Sequence, residues 1–163
     1  YTMGLGADMG SLSLGLNGSY LNELKTQPTV APKQVEEVGL LTTLLGQQAP
    51  EWVVNFSANW ERGPISVNYR LHHQSELSIY EDEEIERQPD ISDYMHTDAL
   101  FVHDIQANYD FNNGIDVYMG VNNVADRQPD PTYLNTPIGA KGRYFYMGLT
   151  ANFEDMSNLN PFR

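Results

Sequence analysis

The residues that could bind a metal are concentrated in one acidic stretch, 76–98. It holds nine Asp and Glu residues and a single Arg, Arg87. Hard cations such as Ca²⁺ prefer several oxygen ligands, and the densest part of the stretch supplies them. The candidate ligands are Glu81, Asp82, Glu83 and Glu84. The stretch lacks the Asp-x-Asx-x-Asx-Gly spacing of a dedicated calcium loop, so a solvated acidic loop is favoured, with an ion or cationic-ligand site as the alternative.

The four histidines are not arranged for metal binding or catalysis. His72 and His73 are adjacent in a predicted strand, so their side chains point to opposite faces and cannot hold one ion together. His96 lies in the acidic stretch and could join a site there, whereas His103 is expected at the rim of a strand. No nucleophile can be paired with a base, and the Gly-x-Ser-x-Gly pattern of a hydrolase is absent. The sequence predicts neither an enzyme nor a cofactor site.

Composition and charge exclude several classes of protein. The 163 residues include 22 Asp plus Glu against 9 Lys plus Arg, and a surface with this formal net charge of -13 repels nucleic acids. Cysteine is absent, which excludes disulfides and thiolate metal sites. Ten Tyr, six Phe and thirteen Gly favour strands and turns. The mean hydropathy of -0.46 fits a soluble protein, but also a membrane barrel, in which only every second strand residue is apolar.

Alternating apolar and polar residues predict seven strands. They lie at 1–7, 11–24, 51–61, 65–71, 100–111, 115–121 and 142–153. The clearest is 51–61, in which Trp52 and Trp60 begin and end the apolar face. In the second connection, a short helix over 34–45 is an alternative to a loop.

The connections between these strands alternate in length: short, long, short, long, short and long. In an up-and-down antiparallel sheet, this order puts every short turn on one rim and every long loop on the other, as in outer-membrane barrels. A soluble sandwich has no reason to sort its loops in this way. The predicted fold class is therefore all-β, an antiparallel up-and-down transmembrane β-barrel segment. Seven strands leave two unpaired edges, so the segment is expected to belong to a larger barrel.

Aromatic residues on the apolar faces are predicted to meet lipid at the membrane interface. At about 3.3 Å per residue and a tilt of about 45°, Trp52 and Trp60 would be separated by roughly 19 Å along the membrane normal, just inside a ~25 Å apolar band. Indole rings prefer this depth because the ring is apolar while its N–H reaches water or headgroups. The predicted lipid-interface aromatics are Trp52, Trp60, Phe145 and Phe153. The residues predicted to face a lumen are Asn108, Asn122, Tyr144 and Tyr146.

Two motifs near the end of the chain resemble one known family. The segment Gly120-Val-Asn-Asn-Val-Ala-Asp126, and the segment Gly142-Arg-Tyr-Phe-Tyr-Met-Gly-Leu that continues to Phe153, are similar to the C-terminal end of TonB-dependent outer-membrane receptors. The matching positions are Asn122, Asn123, Asp126, Gly142, Arg143 and Phe153. Members of that family stop at the terminal Phe, whereas this chain continues through 154–163.

The resemblance implies that residues 1–153 form the C-terminal portion of a receptor barrel of about 22 strands, and that 154–163 is a tail. The parent receptor would lie in the bacterial outer membrane and import a scarce solute such as a ferric siderophore, with energy from the TonB complex. Its partners would be outer-membrane lipid, the remaining barrel strands, the plug domain that fills the lumen, and a small-molecule ligand whose identity stays open. The start at Tyr1 without a signal segment fits such a fragment.

Three motif residues have expected local roles. Asn123 and Asp126 are expected to end the strand and shape the loop through side-chain hydrogen bonds to the backbone. Arg143 is expected to reach lipid headgroups from the outer rim. The alternatives to a receptor are a soluble all-β ligand-binding module, which would bury the apolar faces as its core, and an inert fragment of a receptor gene.

Overall fold

The structure, a computed structural model, describes residues 1–6, 8–27, 33–81, 85–87, 90, 95–128 and 142–152. Several sequence-based expectations concern residues outside these ranges. They are the metal candidates Asp82, Glu83 and Glu84, the terminal Phe153 and the tail 154–163. The other predicted site residues are all described.

Eleven strands lie within the described ranges, and seven of them form one antiparallel sheet. In chain order the strands are β1 (Thr2–Gly4), β2 (Ser11–Tyr20), β3 (Lys25–Thr26), β4 (Val35–Glu36), β5 (Trp52–Arg62), β6 (Ile65–Gln74), β7 (Leu77–Ser78), β8 (His96–Thr97), β9 (Leu100–Asp110), β10 (Ile115–Asn122) and β11 (Tyr144–Ala151). The main sheet has the order β1-β2-β5-β6-β9-β10-β11 and is open at its two end strands. The predicted all-β class with seven antiparallel strands is confirmed.

The register of the main sheet aligns apolar residues with apolar residues on one face. A continuous row of cross-strand partners consists of Leu12, Trp60, Val67, Ala107, Met119 and Met147. Positions next to these on each strand point to the other face, and most of them are polar. A shift of one residue would exchange the two faces, so the alternation in the sequence specifies this pairing.

Short turns join the strands at one end of the main sheet and long connections join them at the other, as the sequence predicted. The short connections are 5–10, 63–64 and 111–114, and the long ones are 21–51, 75–99 and 123–143. Gly10 shows why the first turn needs glycine. Its φ is 80°, and a Cβ at this position would collide with the carbonyl oxygen of Glu61.

The main sheet is a single layer within the described residues. Each of its strands lies close only to its hydrogen-bonded neighbours. A soluble β-domain buries the apolar face of a sheet against a second layer. Here that face is open: Leu16 is 75% exposed, and Met119, on an internal strand, is 58% exposed.

Among the described residues, the most buried apolar side chains lie in and beside two of the long connections. We call the described residues of 21–51 and 75–99 the loop cap. It contains the small hairpins β3–β4 and β7–β8, and a parallel bridge between Leu40 and Ser78 joins the two connections. Its core consists of Leu40, Leu41, Ala49, Leu77 and Met95, together with Leu100 of β9. The helix considered over 34–45 is wrong, because this segment forms β4, turns and the bridge to the second connection.

Candidate functional site

Aromatic residues mark both ends of the apolar face. At the long-loop end the ring centroids of Tyr20 and Trp52 lie 4.5 Å apart, and at the short-turn end those of Tyr109 and Phe111 lie 4.7 Å apart. Trp60 also lies near the short turns, where its indole N–H donates to a carbonyl oxygen of the first turn at 2.8 Å. Between these ends the face is largely aliphatic.

Three of the four predicted lipid-interface aromatics lie on the apolar face. They are Trp52, Trp60 and Phe145, whereas Phe153 is outside the described residues. Phe145, Met147 and Leu149 form a stripe along β11, and each is more than half exposed. Exposed apolar side chains that continue across several strands mark a surface that meets lipid or another protein.

The opposite face of the main sheet is hydrogen-bonded across strands. The amide of Asn108 donates to the hydroxyl of Ser66 at 2.9 Å and accepts from Gln106 at 2.7 Å. Gln106 in turn accepts from the hydroxyl of Tyr146 at 2.9 Å, so the bonds run from β6 to β11. The four residues predicted to face a lumen all lie on this polar face: Asn108, Asn122, Tyr144 and Tyr146.

Two tyrosines of the polar face cover glycines on the neighbouring strand. Tyr146 covers Gly120 and Tyr118 covers Gly148, so closely that a Cβ on either glycine would collide with the ring. A glycine opposite an aromatic residue lets the ring lie against the backbone. This arrangement was not predicted from the sequence. A glycine on the polar face of each of two adjacent predicted strands was the signal that could have revealed it.

Asn123 and Asp126 end β10 in a tight turn, as their sequence pattern predicted. Their φ angles are positive, 53° and 54°. The side chain of Asn123, only 4% exposed, donates to the carbonyl of Arg127 at 2.7 Å and accepts from its backbone N–H at 2.8 Å. Asp126 accepts from the backbone N–H of Arg143 at 2.8 Å and so ties the turn to the start of β11. These bonds give both motif residues a structural role, which is to hold the turn after β10.

A cavity of about 610 Å³ opens in the loop cap. Lys25, Lys33 and His96 line it together with four carboxylates, which are Glu36, Glu51, Glu76 and Glu81. Glu81, one of the metal candidates, therefore shares a cavity with His96. Within the described part of the chain, no three His, Asp or Glu side chains are grouped closely enough to hold a metal ion. The residues that line the cavity make it polar and mainly acidic.

Two charged groups in this cavity have shifted pKa values, both mainly through local hydrogen bonds. The backbone N–H of Leu24 donates to Glu36 at 2.8 Å and holds the pKa of that carboxyl below its ordinary value. A hydrogen bond from Lys25 to Glu23 raises the pKa of the lysine. Both groups are therefore charged at neutral pH.

His72 and His73 point to opposite faces of the main sheet, as predicted. On the polar face, Nδ1 of His72 lies 2.8 Å from an asparagine side-chain oxygen on β5. On the apolar face, the ring of His73 stacks on Phe101 with centroids 4.4 Å apart. His103, also on the apolar face, has its Nδ1 2.7 Å from the hydroxyl of Tyr69. These three histidines are thus divided between two surfaces and do not form one site.

Among the residues that the structure describes, no helix has the length and apolar character needed to cross a membrane. Comparison with protein-family models, with curated proteins and with solved structures finds no match to this chain. Its function must therefore be inferred from the two faces of the main sheet and from the loop cap.

Proposed function

We propose that this chain is the C-terminal part of the β-barrel of a TonB-dependent outer-membrane receptor. The main sheet belongs to a membrane-spanning barrel of about 22 strands, and the parent protein takes up a scarce solute with energy from the TonB complex. The apolar face meets outer-membrane lipid, and the polar face lines the lumen and meets the plug domain. The remaining strands pair with the open edges at β1 and β11.

The observation that carries the proposal is the uncovered apolar face. Leaving apolar surface in water forfeits about 25 cal/mol for each Å², so a continuous apolar face needs a cover. No described element supplies one, as the exposure of Leu16 and Met119 indicates. A lipid bilayer would supply it. Paired strands can enter hydrocarbon because their backbone N–H and C=O groups are bonded within the sheet.

The dimensions of the strands support the same proposal. Four main strands have 10 or 11 residues and two have 8, close to the roughly 9–11 residues of a membrane strand. The aromatic residues at both ends resemble the two girdles of an outer-membrane barrel, with an apolar band between them. The loop lengths support an orientation with the loop cap outside the cell and the short turns in the periplasm.

Within this chain, the loop cap is the part that would contact the solute. Its cavity is lined by more carboxylates than lysines, which disfavours a strongly anionic solute. Ferric siderophore, cobalamin, nickel and oligosaccharide stay as candidate classes, and ferric siderophore is favoured only because it is the commonest cargo of the family that the two motifs resemble. Only part of a receptor's outer loops would come from this chain, so the rest of the specificity belongs to the parent protein.

The proposal is tested by directing the chain, with a signal peptide, to the envelope of a Gram-negative host. We expect the chain in the outer-membrane fraction, and we expect the purified chain to show β-type circular dichroism only in detergent or lipid. A soluble, monomeric and cooperatively folded product would contradict the proposal and would identify a soluble binding module instead.

A further inference from the structure

The polar face of the main sheet is rich in neutral hydrogen-bonding groups. All eight Asn and Gln side chains of the seven strands lie on it: Asn17, Asn55, Asn59, Asn68, Gln74, Gln106, Asn108 and Asn122. Each of these amides both donates and accepts hydrogen bonds. Three of the four carboxylates on this face, Glu61, Asp110 and Asp116, lie at the short-turn end. The fourth, Asp104, faces Arg70, so the half toward the long connections is close to neutral.

One row of cross-strand partners crosses this neutral half. Gly15 of β2 pairs with Ser57 of β5, Ser57 pairs with Arg70 of β6, and Arg70 pairs with Asp104 of β9. Asp104 accepts from the backbone N–H of Asn123 at 2.8 Å, so the row continues to the end of β10. Side chains along such a row point to the same face of the sheet and lie next to one another.

Arg70 and Asp104 are direct neighbours of opposite charge, yet they do not form an ion pair. Among the residues that the structure describes, no hydrogen bond or ion pair engages the guanidinium of Arg70, and the side chain is exposed. The bond from Asn123 occupies Oδ1 of Asp104 and leaves Oδ2 for another donor. A fork of N–H donors and a carboxylate oxygen therefore lie side by side, and both can bond to a ligand.

A cleft of about 450 Å³ opens beside Arg70 on the same face. A Cβ on Gly15 would lie only 2.6 Å from Oγ of Ser57, so the absence of a side chain at Gly15 keeps this part of the cleft open. Asn55 also lines the cleft and is exposed. Its side-chain oxygen lies 2.8 Å from Nδ1 of His72, and its amide nitrogen has two N–H groups to donate.

Two tyrosine rings lie where the row reaches the edge of the sheet. Tyr144 pairs with Asn122 at the end of β10 and is 49% exposed. Its ring and that of Tyr146 are nearly parallel, at 19°, with centroids 6.0 Å apart. At about 4.8 Å between neighbouring strands, roughly 10 Å separates Asp104 from Tyr144. Hydrogen-bonding groups and an aromatic surface are thus within reach of one elongated ligand.

We propose that this part of the polar face binds a neutral oligosaccharide. We call Asn55, Arg70, Asp104 and Tyr144 the polar row. Adjacent hydroxyl groups of a sugar both donate and accept, so they match the neighbouring donors and acceptors of Arg70 and Asp104. The C–H face of a sugar ring is apolar and can cover an aromatic ring such as that of Tyr144. A ligand with one kind of charge would be repelled by either Arg70 or Asp104.

The inference rests on the proposed function where it names the solute class of the parent receptor. In that receptor the polar row would lie in the lumen, in the half nearer the loop cap, where a solute enters from outside the cell. The binding site itself is a property of the main sheet. Sugar binding and membrane insertion can therefore be measured separately.

The test measures binding of maltohexaose, cellohexaose and N-acetylchitohexaose to the full chain, in micelles of a detergent without a sugar headgroup. Saturation-transfer NMR detects the bound sugar, and titration gives its affinity. The row variant is the double substitution Arg70→Gln and Tyr144→Leu. The matched control is Arg62→Gln and Tyr109→Leu, which removes the same two residue types from the apolar face. Circular dichroism verifies that both variants keep the fold.

We expect at least one of these sugars to bind the unchanged chain and the control equally. The row variant should bind it about tenfold more weakly or not at all, because it loses hydrogen bonds to a charged group. Equal affinities for the two variants would overturn the inference, and so would a lack of binding by all three sugars. A chain that enters the outer membrane but binds no sugar would leave the proposed function intact. A chain that folds in water and binds sugar would overturn the proposed function alone.

A second measurement uses the unchanged chain and does not depend on the folding of a variant. On addition of the sugar that binds, we expect the NMR signals of the Tyr144 ring and of the Arg70 guanidinium to shift. The signals of Tyr109 and Arg62, on the other face, should stay in place. Shifts confined to residues of the loop-cap cavity, such as His96, would place the sugar there and overturn the inference.

Discussion

Asn123 combines a positive φ with two side-chain hydrogen bonds to Arg127, and substitution can separate these contributions. Asn123→Gly removes the bonds but keeps an unstrained backbone, so we expect a loss of about 1–2 kcal/mol in the free energy of unfolding. Asn123→Ala also puts a Cβ in the left-handed region and should lose about 1 kcal/mol more. Urea unfolding from lipid vesicles measures both values. Equal losses would show that the backbone conformation contributes nothing.

Gly120 provides the second prediction for a single residue. A Cβ at this position would displace the ring of Tyr146, which bonds to Gln106, and would lie 2.9 Å from the carbonyl oxygen of Ile105. We expect Gly120→Ala to lower the free energy of unfolding by about 1–3 kcal/mol. The control is Gly18→Ala on β2, where the nearest atom would be 3.6 Å away. If both variants unfold at the same urea concentration, the contact between ring and glycine is not stabilising.

Glu36 gives a pH dependence whose sign follows from its lowered pKa. A carboxyl with a lower pKa in the folded state stabilises the fold above its unfolded value, ordinarily 4.5, and loses this contribution as the pH falls through the folded pKa. We expect the NMR signal of the Leu24 backbone N–H to titrate with a midpoint below 4.5, because that group donates to Glu36. Glu36→Gln should abolish the titration, and Glu51→Gln should leave it unchanged. A midpoint above 4.5 would reverse the assigned sign.

At the scale of strands, a charged substitution on the apolar face of the main sheet tests whether that face meets lipid or water. Met119 lies mid-strand on β10 and is 58% exposed, so Met119→Lys would be nearly neutral in a soluble protein. In a bilayer, we expect it to cost about 2–4 kcal/mol near the midplane. The control is Asn68→Lys, which adds the same charge to the polar face of β6. The measurement is the folded fraction of each variant in vesicles, and equal fractions would contradict a lipid-facing surface.

The main strands could be predicted from sequence because their pattern is local. Alternation over about ten residues placed Trp52 and Trp60 on one face and Asn108 on the other, and glycine in the short turns marked the strand ends. The loop cap could not be predicted in this way. Its core depends on contacts such as Leu40 with Ser78, between two separate connections, and no periodicity within either connection encodes that pairing. For this connection the sequence predicted a long loop, with a short helix over 34–45 as the alternative.

The two faces of the sheet, the turn after β10 and the cavity differ in how far the sequence predicts them. Features that depend on a local pattern could be predicted, and features that depend on contacts between distant segments could not. Side-chain parity was enough to assign the sets predicted to face a lumen and to face lipid to opposite faces of the sheet. The tendency of Asn and Asp side chains to bond to nearby backbone groups was enough to predict that Asn123 and Asp126 end the strand. The contact between the Tyr146 ring and Gly120 depends on the pairing register of β10 and β11, and the sequence alone does not specify that register. The cavity of the loop cap requires the fold of two long connections and was not foreseen.

For the whole molecule, the sorting of connections predicts which residues face the outside of the cell. The chain has no cysteine, so single cysteines can be introduced at Leu45, which is 78% exposed in the loop cap, and at Asp8 in the first short turn. In intact Gram-negative cells, we expect a membrane-impermeant maleimide to label Leu45→Cys. Asp8→Cys should react only after the outer membrane is permeabilised. Labelling of Asp8→Cys in intact cells would contradict the proposed orientation.

The strand order of the main sheet also bears on how such a protein can change over evolutionary time. Each main strand pairs only with the strand before and the strand after it, so a duplicated or deleted hairpin leaves every other pairing in place. In a sandwich, the same event would disturb the packing between two layers. The sheet can therefore widen or narrow by whole hairpins, while the loop cap, which couples two connections through Leu40 and Ser78, resists insertion between them. The width of the sheet is therefore the adjustable property of this fold, and the loop cap limits where hairpins can be added.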